Sequence, residues 1–396
     1  MKRISGFQSG QLLGSAYVPF TIDPKNQQRS SSESSFLRSL PPKARLQVYN
    51  NTLAHKILFD RRNTATGVVA SSNNIVFTLK ARKEVILSAG VFQSPQILML
   101  SGIGPAATLA KYGIPLRVNL PGVGSNLQDH PWFGTEFRVN VPTGSSLLNS
   151  AAVFSQVQEA YNNFATGPLT IPATGFLAWE KVPPGLRSNL SASAIHTLDT
   201  SFPDDWPVLE HIPINGYIGY QRNYQTEDPV DGYNYGTVAT LLAAPLSRGT
   251  VSINSSNPTD PPLIDPNYLS HPVDAEIAVL AIRRQREFWA QMQGVTIGDE
   301  ALPGKNVTSD EDILAFVKQS LGIAPHAGCT CAMGKRGVEG SVVDNRARVF
   351  GTRGLRVVDS SIFPLLPPGH ITATVYAVAE KIAEDILRGR GNRKGW

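Results

Sequence analysis

The sequence predicts a mixed α/β fold of two domains, the second set into the first. Three observations carry this. Short β-type runs crowd residues 46–89 and lead into a helix. Between about 137 and 323 the texture changes to proline-rich loops around strand-like pieces. After 323 a buried strand and a helix return. With 396 residues, 41% of them hydrophobic and 17% charged, the chain has apolar material for a large core or two domains.

The first 45 residues are polar and Ser-rich (QQRSSSESS) and carry few helix or strand signals. The runs LQVYN, AHKILFD, GVVAS and NIVFTL, punctuated by RRNTATG and SSNN, read as a small sheet leading to a buried strand over 84–89. Next, SPQILMLS (94–101) reads as a short helix with Pro95 at its first position and Gly102 as its stop, and Pro105 restarts a second helix, AATLAKYG. The hexapeptide GIGPAA (102–107) has the spacing of a dinucleotide-binding loop. That loop must follow a strand and open a helix. Here it joins two helices, so the expectation is an elbow that touches no phosphate.

In 137–323, TVATLLAAPL and GTVSI read as strands, interrupted by one amphipathic helix over 274–292. GLRVVDSSIF then reads as a buried strand with its exit turn. TATVYAVAEKIAEDILRG reads as a helix with Val375, Val378, Ala379, Ile382, Ala383 and Ile386 on its apolar face and Gly389 as its stop. The domains expected are 1–136, an inserted 137–323, and a C-terminal return over 324–396.

Composition excludes several classes. The net charge of +5 is spread out, and its densest cluster, the terminal RGRGNRKGW, reads as a solvated tail, so no nucleic-acid partner is expected. No run is long enough for a membrane span, and MKRISGFQSG lacks the apolar core of a signal peptide, although N-x-S/T sequons at Asn50, Asn189, Asn254 and Asn306 permit secretion. Cys329 and Cys331, the two cysteines, stand too close for an unstrained disulfide. His326, Cys329 and Cys331 match no common zinc spacing, so no metal is expected. There is no G-x-S-x-G elbow, Walker loop or H-E-x-x-H helix. Two histidines remain conspicuous: His326 in APHAGCTCAMG and His370 in LPPGHITATVY, each in a Gly/Pro loop that feeds a defined element, where catalytic groups are often held.

The run GVFQSPQILMLSGIGP (90–105) resembles the second signature of the glucose–methanol–choline (GMC) flavin oxidoreductases, departing only at Val91. The resemblance continues through LPGVGSNLQDHP, PLSRGTVSI and the stretch from VVDNRARVF to AEKIAEDIL, and its nearest look is to fungal aryl-alcohol and glucose-oxidase-like members. It implies an FAD-binding doubly wound domain, here incomplete, with an inserted sheet-based substrate domain. It also implies FAD as cofactor, a small alcohol as substrate, and a place in fungal secondary metabolism. By position, His326 matches the base that takes the hydroxyl proton, and His370 matches the group that hydrogen-bonds the substrate oxygen. Asp359 matches a contact to the FAD chain near the pyrophosphate. Ile371 and Thr372 match backbone beside the flavin's pyrimidine edge, Ala54 a strand passing the adenine, and Asn126 a loop near the flavin. The two imidazoles are therefore expected within reach of each other, lining one cleft between the domains.

Two departures accompany the resemblance. The family's H-P-x-G-T-C becomes HAGCTC, so that Ala327 replaces proline and Cys329 replaces a glycine. Nor does any G-x-G-x-x-G follow a strand. The chain is therefore expected to begin downstream of the family's nucleotide-binding segment, as a truncated form or beside a separate N-terminal FAD-binding polypeptide, and to hold FAD poorly alone. Two other readings stay open: a flavin-free enzyme in which the histidine pair does acid–base chemistry, such as isomerisation or cyclisation, and a non-catalytic remnant that binds another protein.

Overall fold

The computed structural model describes residues 1–42, 44–171, 174–222 and 228–391, so the last five residues of the basic tail lie outside the described part. The chain forms two compact units: residues 1–46, 130–244 and 271–324, and residues 47–129, 245–270 and 325–396.

The first unit is built on a seven-stranded antiparallel sheet. Its order is Gly14–Tyr17, Phe176–Glu180, Leu209–Ile214, Asn234–Leu242, Pro131–Val139 and Thr296–Leu302, with Gly322–Ile323 also paired to Pro131–Val139. Asn234–Leu242 is buried along almost its whole length because both its faces are covered. Ala239 and Leu241 pack with Leu177, Trp179 and Ile212. On the other face, Val238 packs with Val139 and Trp289. Trp289 belongs to the helix Pro272–Gln291, which the sequence placed at 274–292. That helix is fixed by polar anchors as well as apolar ones: Gln285 Nε2 donates to Thr240 Oγ1 at 2.9 Å, and Trp289 Nε1 donates to Thr135 Oγ1 at 3.1 Å.

The division of the chain differs from the sequence reading at three places. Residues 1–46 belong with the inserted sheet, because Gly14–Tyr17 pairs with Phe176–Glu180. The boundary drawn at 136 would have cut through the strand Pro131–Val139. Residues 245–270 belong to the second unit, where Thr250–Ser252 pairs with Leu263–Asp265. The helices Ala151–Phe164, Ala192–Ser201 and Asp310–Ser320 were not anticipated.

The second unit holds an antiparallel meander, Leu53–Phe59, Ala65–Ser72 and Ile75–Lys80, and a parallel pair, Val85–Leu87 with Leu355–Val357. LQVYN forms no strand, and Leu46, Val48 and Tyr49 are exposed, since β-prone residues need a partner strand to be buried. Leu98, Met99, Ile103, Leu109, Val343, Val357, Ile362 and Ile382 form the core. Ile382 comes from the helix Thr372–Gly391; of the apolar face expected there, Ala379 and Ala383 are exposed while Val375, Val378 and Ile386 pack inward.

GIGPAA is an elbow, as the helical pattern required. The helix Gly90–Leu100 ends, Gly102 turns the chain at φ +84°, Ile103–Gly104 pairs with Val118–Asn119, and the helix Ala106–Lys111 follows. A Cβ on Gly102 would lie 2.5 Å from the Pro115 carbonyl oxygen. The first helix begins at Gly90, not at Pro95, which sits inside it. A proline there leaves the carbonyl four residues earlier, that of Val91, without its helical donor. The Thr330 hydroxyl takes that role at 2.6 Å. Among the described residues, no helix is long and apolar enough to cross a membrane.

Candidate active site

Three segments of the second unit place the histidines. Residues 329–333 run beside 360–362: Cys329 N donates to Ser360 O (3.1 Å), Cys331 N to Ser361 O (2.7 Å) and Met333 N to Ile362 O (2.9 Å). Residues 124–129 lie on the other flank. There Gln128 and Gly328 exchange both backbone bonds, at 3.2 and 2.9 Å, and Gly124 N donates to Thr330 O at 2.8 Å. Gly124 sits at φ +80°, and a Cβ would fall 2.0 Å from Val251 O, so this approach admits only glycine. His326 is thereby held from two sides, with its backbone N–H donating to Asp129 Oδ1 at 3.1 Å.

His370 arrives from the following loop, PLLPPGH. Its ring centroid lies 4.8 Å from that of His326, edge to face at 74°. His326 is buried, only 7% exposed, whereas His370 is exposed. Burial, and then the neighbouring His370, push the His326 pKa down to about 3, so its imidazole is neutral at pH 7. Ile371 is buried beside Cys329, Phe363 and Leu366, and Thr372 opens the 20-residue helix that follows. The exposed His370 stands at the helix end where backbone N–H groups lack helical partners and the macrodipole is positive.

The other residues singled out from the sequence are placed as follows. The Asp359 carboxylate is engaged within the protein: Oδ2 accepts from Ser94 Oγ (2.6 Å) and Gly90 N (3.0 Å), and Oδ1 accepts from Ser361 N (2.8 Å). Asn126, at φ +60°, accepts from Gln128 Nε2 at 3.1 Å, which links it to the His326 segment. Ala54 lies on the meander. Cys329, standing for the family glycine, is fully buried at φ +74°, so the replacement expresses itself as backbone strain. Both thiols are buried and free.

Sequence reading missed Gln128, Asp129, Tyr268 and Thr330. The signal for the first two was present, as adjacent polar residues inside LPGVGSNLQDHP; both are buried. A cleft of about 920 Å³ elsewhere in this unit is lined by Arg336, Arg348, Arg353, Arg356, Glu84 and Asp344 and includes neither histidine. Ion pairs such as Arg348–Asp344 (2.7 Å) and Arg356–Glu84 (2.9 Å) account for much of its charge.

Comparison with known proteins decides the family. Two models described as GMC oxidoreductase match residues 8–132 and 245–379. The chain belongs to the GMC oxidoreductase family. It is 48% identical to patulin synthase of Aspergillus clavatus over 96% of this chain and 61% of that protein. Among solved structures it is similar to an FAD-dependent oxidoreductase from Chaetomium thermophilum (TM-score 0.81, 30% identity, 96% of this chain and 68% of that one). It is also similar to a fungal aryl-alcohol oxidase (TM-score 0.82, 27% identity, 98% and 69%). The mixed α/β fold read from the sequence agrees with these GMC neighbours. The chain spans about three fifths of the length of the curated relatives it matches. The expectation that it begins downstream of the family's nucleotide-binding segment is not supported, because the N-terminal family model matches residues 8–132.

FAD-dependent neighbours raise the question of whether the residues present fit a flavin. Beside the histidine pair they do. Gly90, at φ +85° after the parallel strand, has nothing within 4 Å of a Cβ position, which leaves backbone open to close approach. The Ile371–Thr372 backbone lies at a helix N-terminus suited to negative charge.

Proposed function

We propose that this chain serves an FAD-dependent oxidation of an alcohol to an aldehyde or ketone, with His326 and His370 handling the oxygen and its proton. The observation that carries the reading is the edge-to-face contact of a buried, neutral imidazole with an exposed one, 4.8 Å between centroids. FAD, held near Ile371, Thr372, Gly90 and Asp359 with Asn126 and Ala54 further along, would supply the hydride acceptor.

The geometry supports the following part for the protein's own residues. His370 is reached first from solvent and holds the substrate hydroxyl oxygen by a hydrogen bond. His326 is neutral and so has a ring nitrogen free of charge to accept the hydroxyl proton while the carbon–hydrogen bond breaks. Taking the proton makes His326 an imidazolium, a cation that an anionic cofactor held nearby would favour. The substrate class follows the fungal aryl-alcohol oxidase among the structural neighbours, and the setting in secondary metabolism follows patulin synthase.

The test is anaerobic addition of primary and aromatic alcohols to the flavin-loaded enzyme. Loss of the oxidised flavin absorbance together with formation of the carbonyl product is expected. No bleaching with any alcohol would overturn the reading, and substrate conversion by flavin-depleted protein would favour acid–base chemistry without redox.

A further inference from the structure

We infer that Gln128 and Asp129 are positioning residues that set the separation of the two imidazoles by tying both histidine loops to one extended segment. The inference rests on the reading of His326 and His370 as the working pair.

Gln128 pairs with Gly328 as an antiparallel bridge, so this segment is locally strand-like. Successive side chains of an extended segment point to opposite sides. Gln128 and Asp129 use this. Asp129 Oδ1 accepts from the backbone N–H of His326 at 3.1 Å. Gln128 Oε1 accepts from the backbone N–H of Leu366 at 3.2 Å, in the loop that delivers His370.

Each tie is braced by a further bond. Gln128 Nε2 donates to Asn126 Oδ1 at 3.1 Å, which fixes the amide so that its oxygen faces Leu366. Asp129 Oδ2 accepts from the Tyr268 hydroxyl at 2.9 Å. Burial, and then the Asp129 charge, push the Tyr268 pKa far up, so the phenol keeps the proton it donates. Gln128 is 2% exposed and Asp129 9%, so water does not compete freely for these bonds.

The link from Leu366 to His370 is short and stiff. Pro367 and Pro368 have fixed φ, and Gly369 turns at φ +87° directly before the histidine. With φ fixed at two of the three intervening residues, a displacement at Leu366 N shifts the point from which His370 is delivered.

The test uses the chain with 13C-labelled histidine, whose seven histidines are assigned by single substitutions. At pH 7 the wild type should show a cross-relaxation signal between the ring protons of His326 and His370. Gln128→Met, close in size but without acceptor or donor, should weaken it several-fold, and so should Asp129→Leu. Asp129→Asn should preserve it, since the amide oxygen still accepts from His326 N–H and the amide N–H₂ can donate to the Tyr268 oxygen. In the flavin-loaded enzyme, kcat should fall about 10²-fold in the first two variants with KM little changed, the scale expected for misplacement by about 1 Å. Near-ultraviolet circular dichroism identifies any variant that fails to fold, and Gln128→Met carries the test if Asp129→Leu does. An unchanged signal in folded Gln128→Met would overturn the positioning role whatever the activity. A weakened signal in a protein that oxidises no alcohol would uphold the tie and overturn the proposed function instead.

Discussion

Glu136 lies on the strand Pro131–Val139 with no exposed surface. One of its oxygens accepts from the N–H groups of Ile218 (2.9 Å) and Gly219 (2.8 Å). Burial outweighs those two donors, and the nearby Asp228 charge adds to it, so the carboxyl is pushed up to about 8. The folded protein therefore keeps a proton that the unfolded chain releases above its ordinary carboxyl range. Linkage then gives the sign: this group's contribution is fully present at low pH and is lost as pH rises from about 5 to about 8. Each pH unit in that window costs about 1.4 kcal/mol, on the order of 4 kcal/mol in all. Glu136→Gln is the perturbation, since its amide oxygen accepts the same two bonds and cannot ionise. The assay is urea unfolding of both proteins at several pH values between 5 and 8, followed by tryptophan fluorescence. Four of the five tryptophans, Trp132, Trp179, Trp206 and Trp289, belong to the first unit, so most of the signal reports the sheet that holds Glu136. Wild-type stability should fall relative to Glu136→Gln as pH rises. Parallel pH curves would show that the carboxylate is accommodated as the anion and would refute the reasoning.

Gly124→Ala should destabilise the second unit by about 3 kcal/mol or more, because it adds left-handed strain to an overlap with Val251 O; calorimetry of the two proteins checks this, and a shift of a few tenths would contradict it. The Cys329 thiol, pushed up to about 12 by burial, should be thiolate to only about one part in 10⁴ at pH 8, and burial raises Cys331 as well. A disulfide reagent at pH 8 should therefore label neither in the native protein and both in urea. Rapid native labelling would mean that the segment opens.

The parts of the structure visible in the sequence are those governed by local chemistry. Gly102 and Pro105 end and restart helices through their own backbone limits, so the elbow was readable without a partner. His326 and His370 stood out because each lies in a Gly/Pro loop before a defined element. Long-range pairing decided the rest. Pro95 read as a helix start because its interior placement depends on Thr330, which takes the freed Val91 carbonyl from 239 residues away. GSAY is too short to announce a strand, and its register comes from Phe176–Glu180. LQVYN has strand composition but gains no partner. Asp129 stood out only as one of two adjacent polar residues in LPGVGSNLQDHP; its role was not readable, since its two donors, His326 N and Tyr268 Oη, are 197 and 139 residues distant. Nor did the sequence announce the three donors that hold the Asp359 carboxylate, Gly90 N, Ser94 Oγ and Ser361 N, two of them more than 260 residues away.

The division of labour between the two imidazoles is tested most directly by kcat/KM for one alcohol in the flavin-loaded wild type, His326→Ala and His370→Asn. Loss of the group that takes the hydroxyl proton should lower kcat/KM by about 10²- to 10⁴-fold in His326→Ala. His370→Asn keeps a hydrogen-bonding side chain at the substrate oxygen and should lose far less. Equal losses in the two variants, or wild-type turnover in His326→Ala, would contradict the assignment of His326 as the base.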